Sequence, residues 1–332
     1  MKKFRLAQHN RTIPVLTLVL CLCWKQHAAA QAIPGAEQGI EFLCTFGKAS
    51  NPYYGDDDFS QTFFFVIPKN YKQPFFVRIF DPEVGGKHDL IKNTPNTQTG
   101  FYVYGGSGAY SNKNARGINP KEGYKSGILL QSKVFSNQGH TDNQWVSIGP
   151  FIPNQGEFDK DLNGYVFKII CEGISGDDGN LYNYFLSSSQ KENKHIEGAN
   201  SFTYEISFRL PLNSGTKCHI YPFVDNNIIS ITQYNFDMDD EAELRINSVS
   251  KNHVKLDVSG NGDWASTKYP VTEEEKNTSL DIQFIKLQDR VNDVTFYMMN
   301  QYNEAIPLYS SPIGGKPKYK YKVDIIINTK AR

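Results

Sequence analysis

The run Asp159-Lys160-Asp161-Leu162-Asn163-Gly164 sets oxygen-bearing side chains at alternate positions and ends on glycine. Oxygen ligands at positions 1, 3 and 5 with a glycine at 6 open a calcium loop. Alternate side chains wrap one hard cation, and the glycine lets the chain turn sharply. Position 12, where a helix–loop–helix site places a bidentate glutamate, is Ile170, and the residues after Gly164 read as a strand. An EF-hand is therefore not expected. Two readings stay open for Asp159, Asp161 and Asn163. They are calcium ligands on a β-scaffold, or an ordinary turn in which Asp and Asn bond their own backbone.

A second set of acids is spread over two segments. Asp81-Pro82-Glu83-Val84-Gly85-Gly86-Lys87-His88-Asp89 follows one strand-like run, and Gly176-Asp177-Asp178-Gly179-Asn180 precedes another. If both loops occupy one end of a sandwich, Asp81, Asp89, Asp177 and Asp178 bring their oxygens around a calcium ion. If not, they are two polar turns. Asp56-Asp57-Asp58 and the stretch 237–241 read as solvated acidic faces.

Aromatic residues make up 13% of the chain. Tyr53, Tyr54, Tyr102, Tyr104 and Tyr110 lie beside Gly/Asn-rich segments. Exposed aromatics next to polar loops stack on sugar rings or anchor a protein partner. The competing reading is that strand alternation buries half of them.

Bond-breaking chemistry finds little support. His88, His140, His195, His219 and His253 show no HExxH spacing, so a zincin site is not expected. Gly105-Gly106-Ser107-Gly108-Ala109 and Gly173-Ile174-Ser175-Gly176-Asp177 approach a nucleophile elbow, but both lack its last glycine. Neither leads into a helix, the context that exposes the serine. A glycosidase needs two carboxylates roughly 5 to 10 Å apart across a cleft, and sequence alone brings no such pair together.

The elements that must carry these residues are strands. Phe202, Tyr204, Ile206, Phe208 and Leu210 alternate with Thr203, Glu205, Ser207 and Arg209, which predicts one half-buried strand with a wet face. Segments 243–247, 254–259 and 321–327 alternate in the same way. Runs 63–67, 75–80, 101–104, 165–171 and 294–299 are apolar on both sides and rich in aromatic and β-branched residues, as packed sheets favour. Turn clusters between them point to sandwiches rather than βαβ units. Helical signal is confined to Thr272-Glu273-Glu274-Glu275, which has capping-box spacing for one turn. The reading is all-β, with two β-sandwich domains of jelly-roll or Ig-like type over 33–225 and 226–332.

Residues 1–32 read as a cleaved signal peptide. Lys2, Lys3, Arg5 and Arg11 precede an apolar run, and Ala28-Ala29-Ala30-Gln31-Ala32 offers small-x-small cleavage after Ala30 or Ala32. The apolar run is shorter than the roughly 20 residues of a membrane span, so no span is expected in the mature chain. Removing this segment leaves 30 basic against 35 acidic residues, a net of −5. That balance argues against nonspecific nucleic-acid binding. Cys44, Cys171 and Cys218 remain, and a disulfide between two of them or three buried thiols are both open.

Phe65-Val66-Ile67-Pro68 followed by Phe75-Phe76-Val77-Arg78-Ile79-Phe80-Asp81-Pro82 resembles the pre-peptidase C-terminal class of β-sandwich found in bacterial exported proteins. Gly164-Tyr165-Val166-Phe167 and Gly176-Asp177-Asp178-Gly179-Asn180-Leu181-Tyr182 resemble uncharacterised exported β-sandwich proteins of Bacteroidota-type bacteria. The likeness covers about half the chain. It implies noncatalytic attachments to enzymes or surface assemblies, though no catalytic domain accompanies the modules here.

The expectation is a noncatalytic exported protein, periplasmic, outer-membrane-associated or extracellular, that docks onto a protein partner in the cell envelope or at the surface. One variety is a periplasmic accessory of an outer-membrane or secretion assembly. The alternatives are a carbohydrate-binding module with calcium-held loops, whose partner is a glycan, and an unrecognised glycoside hydrolase.

Overall fold

The computed structural model describes residues 31–320 apart from 119, 121, 122 and 138. The expected signal segment, except its last two residues, lies outside the described residues. So do the expected strand 321–327 and the basic tail that follows it.

The described chain is all-β. Its helical segments are short 3-10 turns, among them the one over Glu273–Glu275. There the Thr272 N–H donates to Glu275 Oε2 at 2.8 Å, as the capping-box spacing predicts. Strand runs read from sequence appear as Ser60–Pro68, Phe75–Phe80, Gln98–Gly105, Gly164–Ser175 and Asp293–Asn300.

Two large antiparallel sheets form. One has nine strands in the order Trp264–Pro270, Ser230–Phe236, Asp293–Asn300, Glu205–Arg209, Leu43–Phe46, Gly179–Ser187, Phe75–Phe80 and Trp145–Phe151, with Ala32–Ile33 added beside Gly179–Ser187. The other has twelve, running from Val254–Leu256 at one edge through Ala242–Asn247, Asp281–Lys286, Lys217–Val224, Leu308–Tyr309, Asn200–Thr203, Ser60–Pro68, Gly164–Ser175 and Gln98–Gly105 to Ile128–Phe135 at the other, with Thr278–Ser279 added beside Lys217–Val224 and Glu157–Asp159 beside Gly164–Ser175. Both sheets pair strands from before and after residue 225: Glu205 sits opposite Tyr297 in one, and Tyr221 opposite Tyr309 in the other.

Aromatic rings knit the sheets face to face, edge-on at 4.9 to 5.5 Å in one zone through Phe75–Phe167, Phe101–Tyr182 and Phe63–Tyr184. A second zone packs Phe284 against Phe208 and Phe296 at 5.2 and 5.3 Å. One contiguous core joins them, from Ile33 to Leu308. The outer faces are covered too. Phe64 and Val66 point away from the main core into a smaller cluster with Phe202, Tyr204 and Tyr309, roofed by Tyr110, Ala115 and Ile118 from the long segment 105–127. On the other sheet Phe42, Cys44, Phe46 and Leu181 pack under Phe59, Phe80 and Leu90. These roofs explain the strands that are apolar on both sides.

The alternating run 202–210 is not one strand. Asn200–Thr203 pairs in the twelve-stranded sheet and Glu205–Arg209 in the nine-stranded one. The chain crosses between sheets at Tyr204, a corner of the kind that strands make when they switch layers. Thr203 Oγ1 donates to the carbonyls of Thr62 (2.7 Å) and Glu205, which pins the bend. The face expected to be wet is buried there: Thr203, Glu205 and Ser207 are all inaccessible. The three cysteines are buried free thiols, not a disulfide and a leftover.

Candidate functional site

Asp159, Asp161 and Asn163 belong to a tight hairpin. Asp159 pairs with Gly164 across it, and Asp159 Oδ1 accepts the Leu162 N–H at 2.8 Å. Asn163 takes φ 48°, the left-handed value that Asn tolerates in turns. This local bonding is that of an ordinary turn.

The loops carrying Asp81, Asp89, Asp177 and Asp178 do share one end of the sandwich. Leu90 and Gly179 exchange backbone hydrogen bonds at 3.0 and 2.9 Å. The carboxylates, however, are engaged by the loops themselves. Asp178 is fully buried. Its Oδ1 accepts the Lys92 N–H at 2.9 Å, and its Oδ2 accepts from the N–H groups of Asn96 (2.8 Å) and Thr97 (3.2 Å) and from Thr97 Oγ1 (3.2 Å). Asp89 accepts from Gly85 and Leu181 N–H groups at 2.8 and 2.7 Å, and burial pushes its carboxyl up to about 8. Asp177 Oδ1 accepts from the Asn96 side-chain amide at 2.9 Å. Asp81 accepts the Asn143 N–H at 3.0 Å, with burial raising it to about 6. Asp89, Asp177 and Asp178 act as clamps that staple 85–97 to 176–181, while Asp81 ties its loop to Asn143.

The tyrosines divide. Tyr104 is buried and Tyr110 lies in the roof over Phe64 and Phe202. Tyr102 lines a surface cleft with Lys125 beside its ring. Tyr53 and Tyr54 are exposed at 58% and 39% on a 3-10 turn, Pro52–Tyr54, with Lys92 over the Tyr54 ring. No pair of them forms a flat aromatic platform: the turn puts Tyr53 against Gly262 and Tyr54 against Phe46.

Two acidic stretches read as solvated are buried only in part, since Asp57, Asp58 and Asp239 are half-buried and Asp240 is exposed. Asp237 and Glu241 are each 1% exposed; Glu241 meets Lys286 at 2.7 Å and also Arg290. Asp56 is likewise 1% exposed, and Asp56, Asp57 and Asp58 bring carboxylate oxygens within 4.8 Å of one another. Among the described residues this is the one group of three or more potential metal-ligating side chains so gathered. Asp56 accepts the N–H groups of Phe46 (2.8 Å) and Phe59 (2.9 Å), and Asp58 Oδ1 accepts the Ser60 N–H at 2.9 Å. Sequence reading missed this group because a run of aspartates has the pattern of a wet turn. The apolar residues on each side, Tyr54 and Phe59, were the available signal.

A free edge is the other exposed feature. The Ile128–Phe135 strand ends the twelve-stranded sheet, paired on one side with Gln98–Gly105. Its Ile128, Leu129 and Val134 are 62%, 49% and 54% exposed. Toward the neighbouring Trp145–Phe151 strand it makes side-chain bonds only, Gly149 N–H to Gln131 Oε1 at 2.9 Å and Lys133 Nζ to the Ser147 carbonyl at 3.0 Å.

No helix among the described residues is long and apolar enough to cross a membrane. No protein-family model and no curated protein matches the chain. Among solved structures, a chain of the T13 IBDV viral particle aligns over 82% of this chain and 74% of its own length at 10% identity, with a TM-score of 0.15, too low to carry an argument about fold or function.

Proposed function

We propose that this is a noncatalytic exported protein that docks onto a partner in the cell envelope or at the surface by strand addition to the Ile128–Phe135 edge. The observation that carries the reading is the apolar exposure of that edge. An unpaired row of N–H and C=O groups beside exposed Ile128, Leu129 and Val134 is what natural proteins otherwise blunt with charge, proline or a covering loop. Strand addition uses such an edge: the main chain supplies affinity, and alternate side chains supply choice of partner. The acidic loops are occupied in holding the scaffold, which favours binding over bond-breaking.

Export enters through Gln31. Its side-chain amide donates to the Ile196 carbonyl and accepts the Ile196 N–H at 2.6 Å, while its own carbonyl accepts the Leu186 N–H at 2.9 Å. A chain cut after Ala30 keeps this buried anchor; one cut after Ala32 loses it. Of the two small-x-small positions, the first fits the fold.

The test is affinity capture from solubilised envelopes. The wild-type chain recovers one defined envelope protein, and Val134→Lys, which places a charge at an exposed position and changes stability by less than about 0.5 kcal/mol, does not. An empty capture with the wild type, or the same partner held by the folded Val134→Lys protein, overturns the reading.

A further inference from the structure

Glu205 stands at the corner where the chain changes sheets, is 6% exposed, and meets the Asp58 carboxylate with its own. Among the described residues, every other buried carboxylate receives at least one N–H or O–H. Glu275 receives four, from Thr272 N, Ser248 Oγ, Ser250 Oγ and Tyr269 Oη. Glu241 has Lys286 and Asp293 has Arg209. Glu205 receives none. Its nearest charges are Asp58, Asp57 and Asp56. Asp57 Oδ1 and Asp58 Oδ2 are buried with no hydrogen-bond partner, and none of these acids pairs with a lysine, arginine or histidine among the described residues.

We propose that Asp56, Asp57, Asp58 and Glu205 form a calcium site that ties the turn before the Ser60–Pro68 strand to the sheet-switching corner. Two oxygens bound to one calcium ion at about 2.4 Å lie no more than about 4.8 Å apart. The Asp56, Asp57 and Asp58 oxygens meet that limit, all lying within 4.8 Å of one another, and Glu205 reaches the edge of that group through its contact with Asp58. The donor set is wholly oxygen, which selects a hard cation over zinc or copper. Carboxylates drawn from two separate segments make the irregular all-protein cage that calcium accepts; magnesium keeps several waters and demands a tighter octahedron. Both Asp56 oxygens and Asp58 Oδ1 accept N–H groups, the arrangement of ionised carboxylates. Asp57 Oδ1 and Asp58 Oδ2, buried without a donor, are the oxygens left for a divalent ion. Asp58 also lines the surface cleft beside Lys48 and Tyr124, which gives the ion a path from solvent.

The site is independent of the docking edge, and its test uses calcium alone. The full chain is stripped with a chelator and titrated with calcium chloride by calorimetry, with thermal unfolding followed in parallel. One ion binds per chain, and the melting temperature rises by about 5 °C at calcium a hundredfold above the dissociation constant. Glu205→Gln weakens binding on the order of a hundredfold, since ligand charge sets calcium affinity. In chelator the same variant melts above the wild type, because a buried repulsion is gone. Asp159→Asn, in the distant hairpin, keeps the full response. Terbium luminescence of the wild-type chain, sensitised by Tyr297 opposite Glu205 and quenched by calcium, tests the site where a variant fails to fold. No heat and no thermal shift with calcium, an unchanged response in Glu205→Gln, or loss of the response in Asp159→Asn overturns the proposal.

Discussion

Asp178→Ala removes the acceptor that holds one whole loop. Four hydrogen bonds end on this carboxylate, from Lys92, Asn96 and Thr97 N–H groups and the Thr97 hydroxyl. Bonds to a charged acceptor contribute about 1.5–3 kcal/mol each when the donor stays buried, and less when water takes over. Asn96 is exposed and Lys92 half-buried, so both N–H groups regain solvent; Thr97 is 1% exposed and does not. The Thr97 hydroxyl falls back on the Asp178 carbonyl at 3.4 Å, which alanine keeps; one unrecoverable donor, the Thr97 N–H, at about 2 kcal/mol and two recoverable ones at about 1 kcal/mol each give a loss near 4 kcal/mol. At a urea slope of about 3 kcal/mol per M that moves the unfolding midpoint down by more than about 1 M with the slope unchanged. Asp178→Asn keeps one oxygen and falls between. Trypsin gains a cleavage at Lys92 in the alanine variant, as the released loop opens ahead of global unfolding. A loss below about 1 kcal/mol, or a loss that appears only when calcium is present, refutes the clamp.

Two further outcomes follow from buried polar groups. Lys168 is fully buried and donates to the Tyr124 carbonyl and to Ser126 Oγ, with burial lowering its ammonium to about 8. Its folded-state value lies below that of the unfolded chain, near 10.4. The penalty is therefore complete below pH 8 and fades as pH rises toward 10.4. Relative to Lys168→Met, the wild type gains stability between pH 7 and 9.5 in denaturant titrations; a difference that is flat with pH refutes this. Gln31→Ala leaves the Ile196 N–H unpaired at a 1% exposed position, while the Ile196 carbonyl keeps the Ala199 N–H at 3.1 Å, so it costs about 2 kcal/mol. Hydrogen exchange at the Ile196 amide accelerates in step, and unchanged protection there sinks the anchor.

Strand identity was legible wherever side chains alternate or where aromatic and β-branched residues crowd together. The runs at 63–67, 75–80 and 165–171 fall inside observed strands because local propensity and burial agree. Sheet membership was not legible. Nothing in the pattern of 202–210 marks Tyr204 as the crossing point, since period-2 alternation continues through a corner whose two arms each bury both faces. The acidic residues were misjudged for a related reason. Charge predicts solvent only when no loop roofs the strand, and roofing is a long-range property. Segment 105–127 covers Phe64 from more than 40 positions away. The meeting of 81–97 with 176–180 was foreseeable as a shared end of the sandwich. That Asp178 would serve four donors of its neighbour was not.

The way the sheets are threaded bears on how the molecule is made. Leu43 lies beside Phe208, Phe202 beside Tyr309, and the Thr295 hydroxyl closes on the Gly55 carbonyl. Pairings of such long sequence separation must pay loop-closure entropy before any ladder rewards it, which places formation of this topology in the millisecond-to-second range or slower. A ribosome-bound nascent chain halted before residue 293 lacks both Asp293–Asn300 and Leu308–Tyr309, the strands paired with the two arms of the sheet corner. Its corner at Tyr204 stays unpaired on those sides and open to protease until the last strands emerge.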